Sequence, residues 1–202
     1  MRINEILAPL EVCAKNNLDI TGVTNDSREV QPGFMFVAYP GDLSDGREYI
    51  NQAINQGASA IVFEPENYNS AILAHSIAEC IPITQIKDKL AVLGSRFYNQ
   101  PSKHLDVIGV TGTNGKTTIA HLLAQAFEFN QQKSGYVGTL GHGCISSLKA
   151  MNNTTPDGLR LQDIFHQLLK QKVKKVAMEV SSHALSLHRV DHVDFNVAVY
   201  TN

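Results

Sequence analysis

Val107-Ile108-Gly109-Val110-Thr111-Gly112-Thr113-Asn114-Gly115-Lys116-Thr117-Thr118 is the stretch on which the rest of the chain turns. Apolar, β-branched residues lead into a glycine loop, and the loop opens onto a helical pattern from Ile119 to Phe129. A strand that ends in such a loop and restarts as a helix aims several backbone N–H groups at one spot. The helix N-terminus adds partial positive charge there, so the spot suits phosphate oxygens. Gly112 and Gly115 allow a tight backbone that a bulky Cβ would forbid. Lys116 can reach the β- and γ-phosphates, and the Thr117 hydroxyl is placed to hold Mg²⁺. Val110 stands where the general G-x-x-x-x-G-K-[ST] pattern has its first glycine. The alternative, a turn that happens to carry a lysine, does not explain the strand before it and the helix after it.

Working outward, apolar runs and helical patterns alternate. Toward the N-terminus, Ile3 to Leu10 reads as a helix, Asp19 to Thr24 as a strand, and Phe34 to Ala38 as a buried strand after the Gln31-Pro32-Gly33 turn. A polar loop over Pro40–Gly46 precedes a helix from Arg47 to Gln56, which Gly57 closes. Ala60–Phe63 and Ile81–Ile86 read as strands, Ser70–Ala78 as helical, and Lys87–Tyr98 as a helix. Asn99-Gln100-Pro101-Ser102 breaks the pattern, which puts a domain boundary within residues 86–101. Beyond the glycine loop the expected order is helix, strand at Gly135–Leu140, loop to Asp157, helix over Leu159–Lys170 and strand at Lys175–Val180. A short helix after Ser182 and a strand at Phe195–Tyr200 complete it. Such alternation implies an α/β protein with mostly parallel sheets. The expectation is a small N-terminal α/β domain over 1–98, then a truncated P-loop α/β domain over 99–202. Because the chain stops on an apolar strand, it reads as the front part of a longer protein.

Composition narrows the class. Hydrophobic residues are 43% and charged residues 18%, an ordinary globular balance. A net charge of −2 gives no general reason to expect nucleic acid or an anionic membrane as partner. Cys13, Cys80 and Cys144 lie far apart with no C-x-x-C spacing, so they read as reduced thiols in a cytoplasmic protein. The N-terminus lacks the apolar core of a signal peptide. No apolar run approaches the roughly 20 residues that span a bilayer.

Three further clusters carry polar residues that local structure does not require. Thr24-Asn25-Asp26-Ser27-Arg28 with Asp42–Gly46, taken alone, reads better as a pair of turns rich in turn formers than as a site. Asn152-Asn153-Thr154-Thr155-Pro156-Asp157 precedes a helix, which Asp157 could simply cap. In Met178-Glu179-Val180-Ser181-Ser182-His183, Glu179 lies near the carboxyl end of a strand. That is the edge of an open α/β sheet where ligands bind. A carboxylate there suits Mg²⁺, which is often held by one or two carboxylates plus substrate phosphates. The alternative is a solvated strand end. Arg189 carries a guanidinium fork suited to a second phosphate group.

Taken together these residues resemble the Mur ligases, ATP-dependent amide-forming enzymes of peptidoglycan synthesis and hence of cell-wall biogenesis, cell shape and cell division. Val110-Thr111-Gly112-Thr113-Asn114-Gly115-Lys116-Thr117-Thr118 is similar to that family's phosphate loop, which accounts for the missing first glycine. Asp26-Ser27-Arg28, Pro32-Gly33 and Asp45-Gly46-Arg47-Glu48-Tyr49-Ile50 resemble its uridine-binding domain. Asn153-Thr154-Thr155-Pro156 and Glu179-Val180-Ser181-Ser182-His183-Ala184-Leu185 with His188-Arg189 resemble its central domain. The resemblance implies ATP on Gly112, Thr113, Asn114, Gly115, Lys116, Thr117 and Thr118, with Mg²⁺ on Thr117 and Glu179. It implies Lys116 and Glu179 as the catalytic pair. Asn25, Ser27, Asp42, Leu43 and Ser44 would line the uridine nucleotide. Asn153, Thr154, Thr155, Ser181 and Arg189 would meet its diphosphate and muramoyl parts. Leu187 departs from the branch that the chain most resembles, where a glutamine often touches the substrate.

The reaction implied by that branch adds a diamino acid, meso-diaminopimelate or L-lysine, to UDP-MurNAc-L-Ala-D-Glu through an acyl phosphate. The resemblance further implies a monomeric enzyme in the cytoplasm, with neither nucleic acid nor membrane insertion. It also implies a C-terminal domain that these 202 residues do not contain, so they are expected not to catalyse alone. Two other readings remain: a folylpolyglutamate synthetase-like ligase, against which the Asp-Ser-Arg and Thr-Thr-Pro segments argue, and a P-loop module or switch that binds nucleotide without ligation.

Overall fold

Apolar strands and amphipathic helices alternate through the chain and build two sheets, one in each of two units, Met1–Phe97 and Tyr98–Asn202. The computed structural model describes residues 1–42, 44–73, 76–151 and 154–202.

The first unit opens with α1 (Ile3–Leu7), which buries Ile3, Ile6 and Leu7. It tightens into a 3₁₀ turn at Ala8–Leu10, where Pro9 cannot donate the next helical bond, so the α-helix stops short of Leu10. Strands β1 (Gly22–Thr24), β2 (Phe34–Ala38), β3 (Ala60–Phe63) and β4 (Glu79–Pro82) form a parallel sheet in that order. Helix α2 (Ile50–Asn55) buries Ile50 and Ala53 in a cluster with Phe36, Ile61 and Phe63. Gly57, at φ +95°, ends this helix as the sequence indicated.

Other boundaries also differ from the expectation: the first strand begins at Gly22, and the helix expected from Arg47 is a 3₁₀ turn until Ile50. The last strand is Glu79–Pro82, not Ile81–Ile86, because Glu79 and Cys80 pair with Ala60 and Ile61. Gln85, at φ +54°, then turns the chain into a 3₁₀ turn over Ile86–Lys89 that leads to α3 (Leu90–Phe97). Ser70–Leu73 is likewise a 3₁₀ turn in place of a longer helix.

Arg47 explains much of the Asp45-Gly46-Arg47 stretch. It is buried, pairs with Asp45 at 2.7 Å, donates to the carbonyls of Glu64 and Glu66, and lies over the Tyr68 ring. The Arg47 side-chain hydrogen bond holds the Asp45 carboxyl below its ordinary range.

The second unit contains β5 (Asp106–Thr111), α4 (Lys116–Phe129), β6 (Ser134–Gly138), β7 (Gly141–Cys144), α5 (Gly158–Lys170), β8 (Lys175–Glu179), α6 (Ser182–Ser186) and β9 (Phe195–Tyr200). Strand order is β7-β6-β8-β5-β9, with β7 antiparallel and the rest parallel. Strand alternation assigns the two faces. Val107, Val137, Val176 and Met178 meet Leu161, Ile164, Phe165 and Leu168 of α5, while Ile108, Val110, Tyr136 and Ala177 meet Ala120 and Ala124 of α4. β5, β6 and β8 are covered on both faces and largely buried, whereas β9 is largely exposed.

β7 corrects the sequence reading, which placed a loop from Leu140 to Asp157. Gly138 pairs with Gly141 across a two-residue turn, and Gly141 and Gly143 adopt φ near +126° and +125°. Gly141-His142-Gly143-Cys144 has no β-branched residue, so strand propensity gave no signal there.

From β5 the chain crosses by α4 to β6, returns through α5 to β8 between them, and later places β9 on the opposite side of β5. The order therefore reverses between β5 and β8, and Val110 pairs with Glu179 at the carboxyl ends of these strands. A crevice at this position is the favoured ligand site of an open α/β sheet.

Candidate nucleotide and metal site

The loop between β5 and α4 has the backbone that its glycines imply. Gly112 lies at φ +133° and Gly115, the residue preceding α4, at φ +83°. A Cβ on Gly112 would collide with the Thr201 hydroxyl, so close approach as well as conformation requires glycine. Helix α4 begins at Lys116, three residues before the apolar pattern, and its amino end faces the loop. The half-buried Lys116 arches over the loop, its Nζ donating to Gly112 O at 2.7 Å and Thr113 O at 3.2 Å. Thr113, Asn114 and Thr118 are exposed around it.

Glu179 is 1% exposed, so the solvated strand end is excluded. Its Oε2 accepts from Thr117 Oγ1 at 2.7 Å and Thr139 Oγ1 at 3.3 Å. Its Oε1 accepts from Tyr136 Oη at 2.5 Å and from the Thr139 backbone N–H at 2.8 Å. Burial, reinforced by the hydrogen bond to Glu179, pushes the Tyr136 phenol well above its ordinary range and keeps it a donor.

Among the described residues no lysine, arginine or histidine pairs with Glu179. A buried carboxylate served only by neutral donors has room for a cation's charge. Among the described residues no group of three or more histidine, cysteine or acidic side chains is arranged to hold a metal ion. The hard oxygens of Thr117 and Glu179, 2.7 Å apart, fit Mg²⁺, which takes a few protein oxygens and leaves other positions to phosphate and water.

The segment after the β6–β7 hairpin comes to the same edge. Thr139 Oγ1 and Thr154 Oγ1 lie 3.1 Å apart. Thr155 is buried and its hydroxyl serves the protein's own backbone, donating to Glu179 O at 3.0 Å and accepting from Ser181 N at 3.4 Å. Thr155 therefore seats the segment and leaves Thr154 as the more accessible member. Ser181 precedes α6 and caps it, accepting from Ala184 N at 3.1 Å. Arg189 is half-buried and its Nη1 donates to Thr155 O at 3.1 Å. Asp157 is the cap of α5 that its position allowed, accepting from Leu159 N and Arg160 N. Asn153 lies outside the described residues.

Sequence reasoning missed Tyr136, Gly138 and Thr139. They sit at the end of a strand whose apolar alternation accounts for Tyr136 as plain core. The one available signal was a Gly-Thr pair closing a parallel strand beside the phosphate loop.

In the first unit, Asn25 follows β1 and its Nδ2 donates to Tyr39 Oη at 2.9 Å, tying the carboxyl ends of β1 and β2 together. Ser27 is 7% exposed and donates to Gln52 Oε1 at 3.2 Å. Asp42 and Ser44 are exposed in the loop after β2, and Asp42 pairs with Lys87 at 2.9 Å. Leu43 lies outside the described residues.

This geometry can be set beside known proteins. Residues 110–202 match the Mur ligase middle domain, and residues 19–98 match the family described as Mur ligase family, catalytic domain. The chain belongs to the Mur ligase family. Among curated Mur ligases, UDP-N-acetylmuramoyl-L-alanyl-D-glutamate--2,6-diaminopimelate ligase of Coxiella burnetii is 42% identical over 182 residues. The match covers 90% of this chain and 37% of that protein. The enzyme of the same name from Ectopseudomonas mendocina is 41% identical over 202 residues, covering all of this chain and 40% of its own. A solved structure of a Mur ligase with that name superposes with a TM-score of 0.78 at 30% identity, over 100% of this chain and 40% of that one. MurF ligase from Thermotoga maritima, solved in complex with ADP, shares the fold, with a TM-score of 0.58 at 22% identity over 92% of this chain and 38% of that one. The chain spans about 40% of the length of the curated Mur ligases it matches. No helix among its described residues is long and apolar enough to cross a membrane.

Proposed function

We propose that this chain carries the nucleotide-binding part of a MurE-type ligase, one that joins a diamino acid to UDP-MurNAc-L-Ala-D-Glu at the expense of ATP. The observation that carries the reading is the meeting of Thr117 with Glu179 at 2.7 Å beside the glycine loop. The roughly 40% identity to diaminopimelate ligases supports 2,6-diaminopimelate as the incoming amine, ahead of lysine.

In this reading the side-chain carboxylate of the D-Glu residue attacks the γ-phosphorus of ATP. ADP departs and an acyl phosphate forms. The amine nitrogen then attacks the acyl carbon and phosphate leaves, giving the amide. Lys116 swings from the loop carbonyls to the β- and γ-phosphates and neutralises charge as it develops. Thr117 and Glu179 hold Mg²⁺, which when bound supplies charge neutralisation across the phosphates. Arg189 and Thr154 receive the anionic part of the sugar nucleotide, while Asn25, Ser27, Asp42 and Ser44 receive its uridine. Catalysis here is chiefly positioning and electrostatics. Residues 1–98 are the proposed uridine-nucleotide domain and 99–202 the first part of the ATP-binding domain.

Calorimetric titration with a ligand panel tests the proposal. UDP-MurNAc-L-Ala-D-Glu and Mg·ATP should bind, while folates and GTP should not. Folate binding would favour a folylpolyglutamate synthetase-like ligase, and selective GTP binding a switch; either result overturns the reading.

A further inference from the structure

We infer that Tyr136 is a positioning residue for Glu179: it caps Oε1 so that Oε2 alone, beside Thr117 Oγ1, faces the divalent cation. This rests on the proposed Mg·ATP reading and deepens it by naming what fixes the metal-facing oxygen.

The two carboxylate oxygens have unlike partners. Oε1 is held by the backbone N–H of Thr139 and by the phenol of a fully buried tyrosine, whose oxygen is fixed in place by its packed ring. The Tyr136 ring is locked between the sheet and α4, in a cluster with Ala120 and Ala124 and edge-on to His121 at 5.6 Å. Oε2 is held by two threonine hydroxyls. A hydroxyl proton rotates, so Thr117 can turn its proton away and present an oxygen lone pair to a cation that Oε2 also meets.

Gly138 makes the arrangement possible. A Cβ there would overlap both Glu179 Oε1 and Tyr136 Oη, so only glycine lets the phenol and the carboxylate meet at this point. A carboxylate offering one oxygen suits Mg²⁺, which demands near-octahedral geometry. Ca²⁺ more readily takes both oxygens of a carboxylate. The Tyr136–Gly138–Thr139 corner is accordingly a device that favours Mg²⁺ over Ca²⁺.

The test is calorimetric titration of ATP into the 202-residue chain and its Tyr136→Phe variant, in Mg²⁺, in Ca²⁺ and in EDTA. The wild-type chain should bind ATP more tightly with Mg²⁺ than with Ca²⁺. Tyr136→Phe should lose about tenfold in Mg²⁺, the worth of one hydrogen bond to a charged group, and much less in Ca²⁺, with EDTA affinity unchanged. An unchanged Mg²⁺/Ca²⁺ ratio, or an equal loss in all three conditions, would overturn the inference and leave the nucleotide site standing. No ATP binding by the wild-type chain in any condition would overturn the functional reading, and this inference with it. Should Tyr136→Phe fail to fold, Gly138→Ala displaces the same oxygen and must narrow the ratio likewise; a ratio that stays put overturns the inference.

Discussion

Thr117 and Glu179 are 62 residues apart in the chain, yet their side-chain oxygens lie 2.7 Å from each other. The contact follows from topology. β5 and β8 are neighbours, Val110 pairs with Glu179, and the glycine loop returns the chain to α4 directly above that pair.

Among the described residues the Arg189 side chain has one hydrogen-bond partner, the Thr155 carbonyl, and no ion-pair partner. Arg189→Ala should reduce affinity for UDP-MurNAc-L-Ala-D-Glu roughly ten- to hundredfold, the cost of about 1.5–3 kcal/mol for a lost charge-assisted bond. The melting temperature should change little. Normal binding with much earlier melting would make Arg189 structural.

Asp157 accepts from two backbone N–H groups at the start of α5, whose apolar face fills the sheet core. Asp157→Ala should cost about 1 kcal/mol in urea denaturation, while Asp157→Asn or Asp157→Ser should recover most of it. Equal stability of wild type and alanine variant would remove the cap from the account.

Asp45 should give the first unit a low-pH weakness. Its folded pKa is depressed below the ordinary 3.8, chiefly by the side-chain hydrogen bond to Arg47. The contribution to stability is therefore complete above the unfolded pKa and is lost as pH falls through the lower folded value. Chemical denaturation between pH 2 and pH 6 should show this acid loss in the wild type and a smaller one in Asp45→Asn. Identical pH profiles would contradict it.

How far the sequence carried is clearest residue by residue. The glycine loop and Glu179 were legible because strand-loop-helix punctuation and a carboxylate at a strand's carboxyl end each have a local signature. The α/β class followed from alternating patterns that the two parallel-dominated sheets reproduce. β7 was hidden by Gly141 and Gly143, whose pairing depends on a hairpin turn and not on side-chain propensity. Tyr136 was hidden because a core-facing strand position and a carboxylate-holding one look alike until the sheet order brings β6 beside β8. Thr155 was legible as part of a cluster, but its burial under the Glu179 carbonyl arises from contacts 24 residues away.

The most direct test of the central claim, that the loop and Glu179 hold a magnesium nucleotide, is calorimetric titration of ATP into the wild-type chain and Lys116→Ala. Each is measured in Mg²⁺ and in EDTA, with melting curves alongside. Wild-type binding should strengthen with Mg²⁺, and Lys116→Ala should lose about tenfold or more, with a melting temperature near the wild type because among the described residues Nζ donates to just two loop carbonyls. Equal ATP affinity in a folded Lys116→Ala variant, or wild-type binding indifferent to Mg²⁺, would contradict that claim.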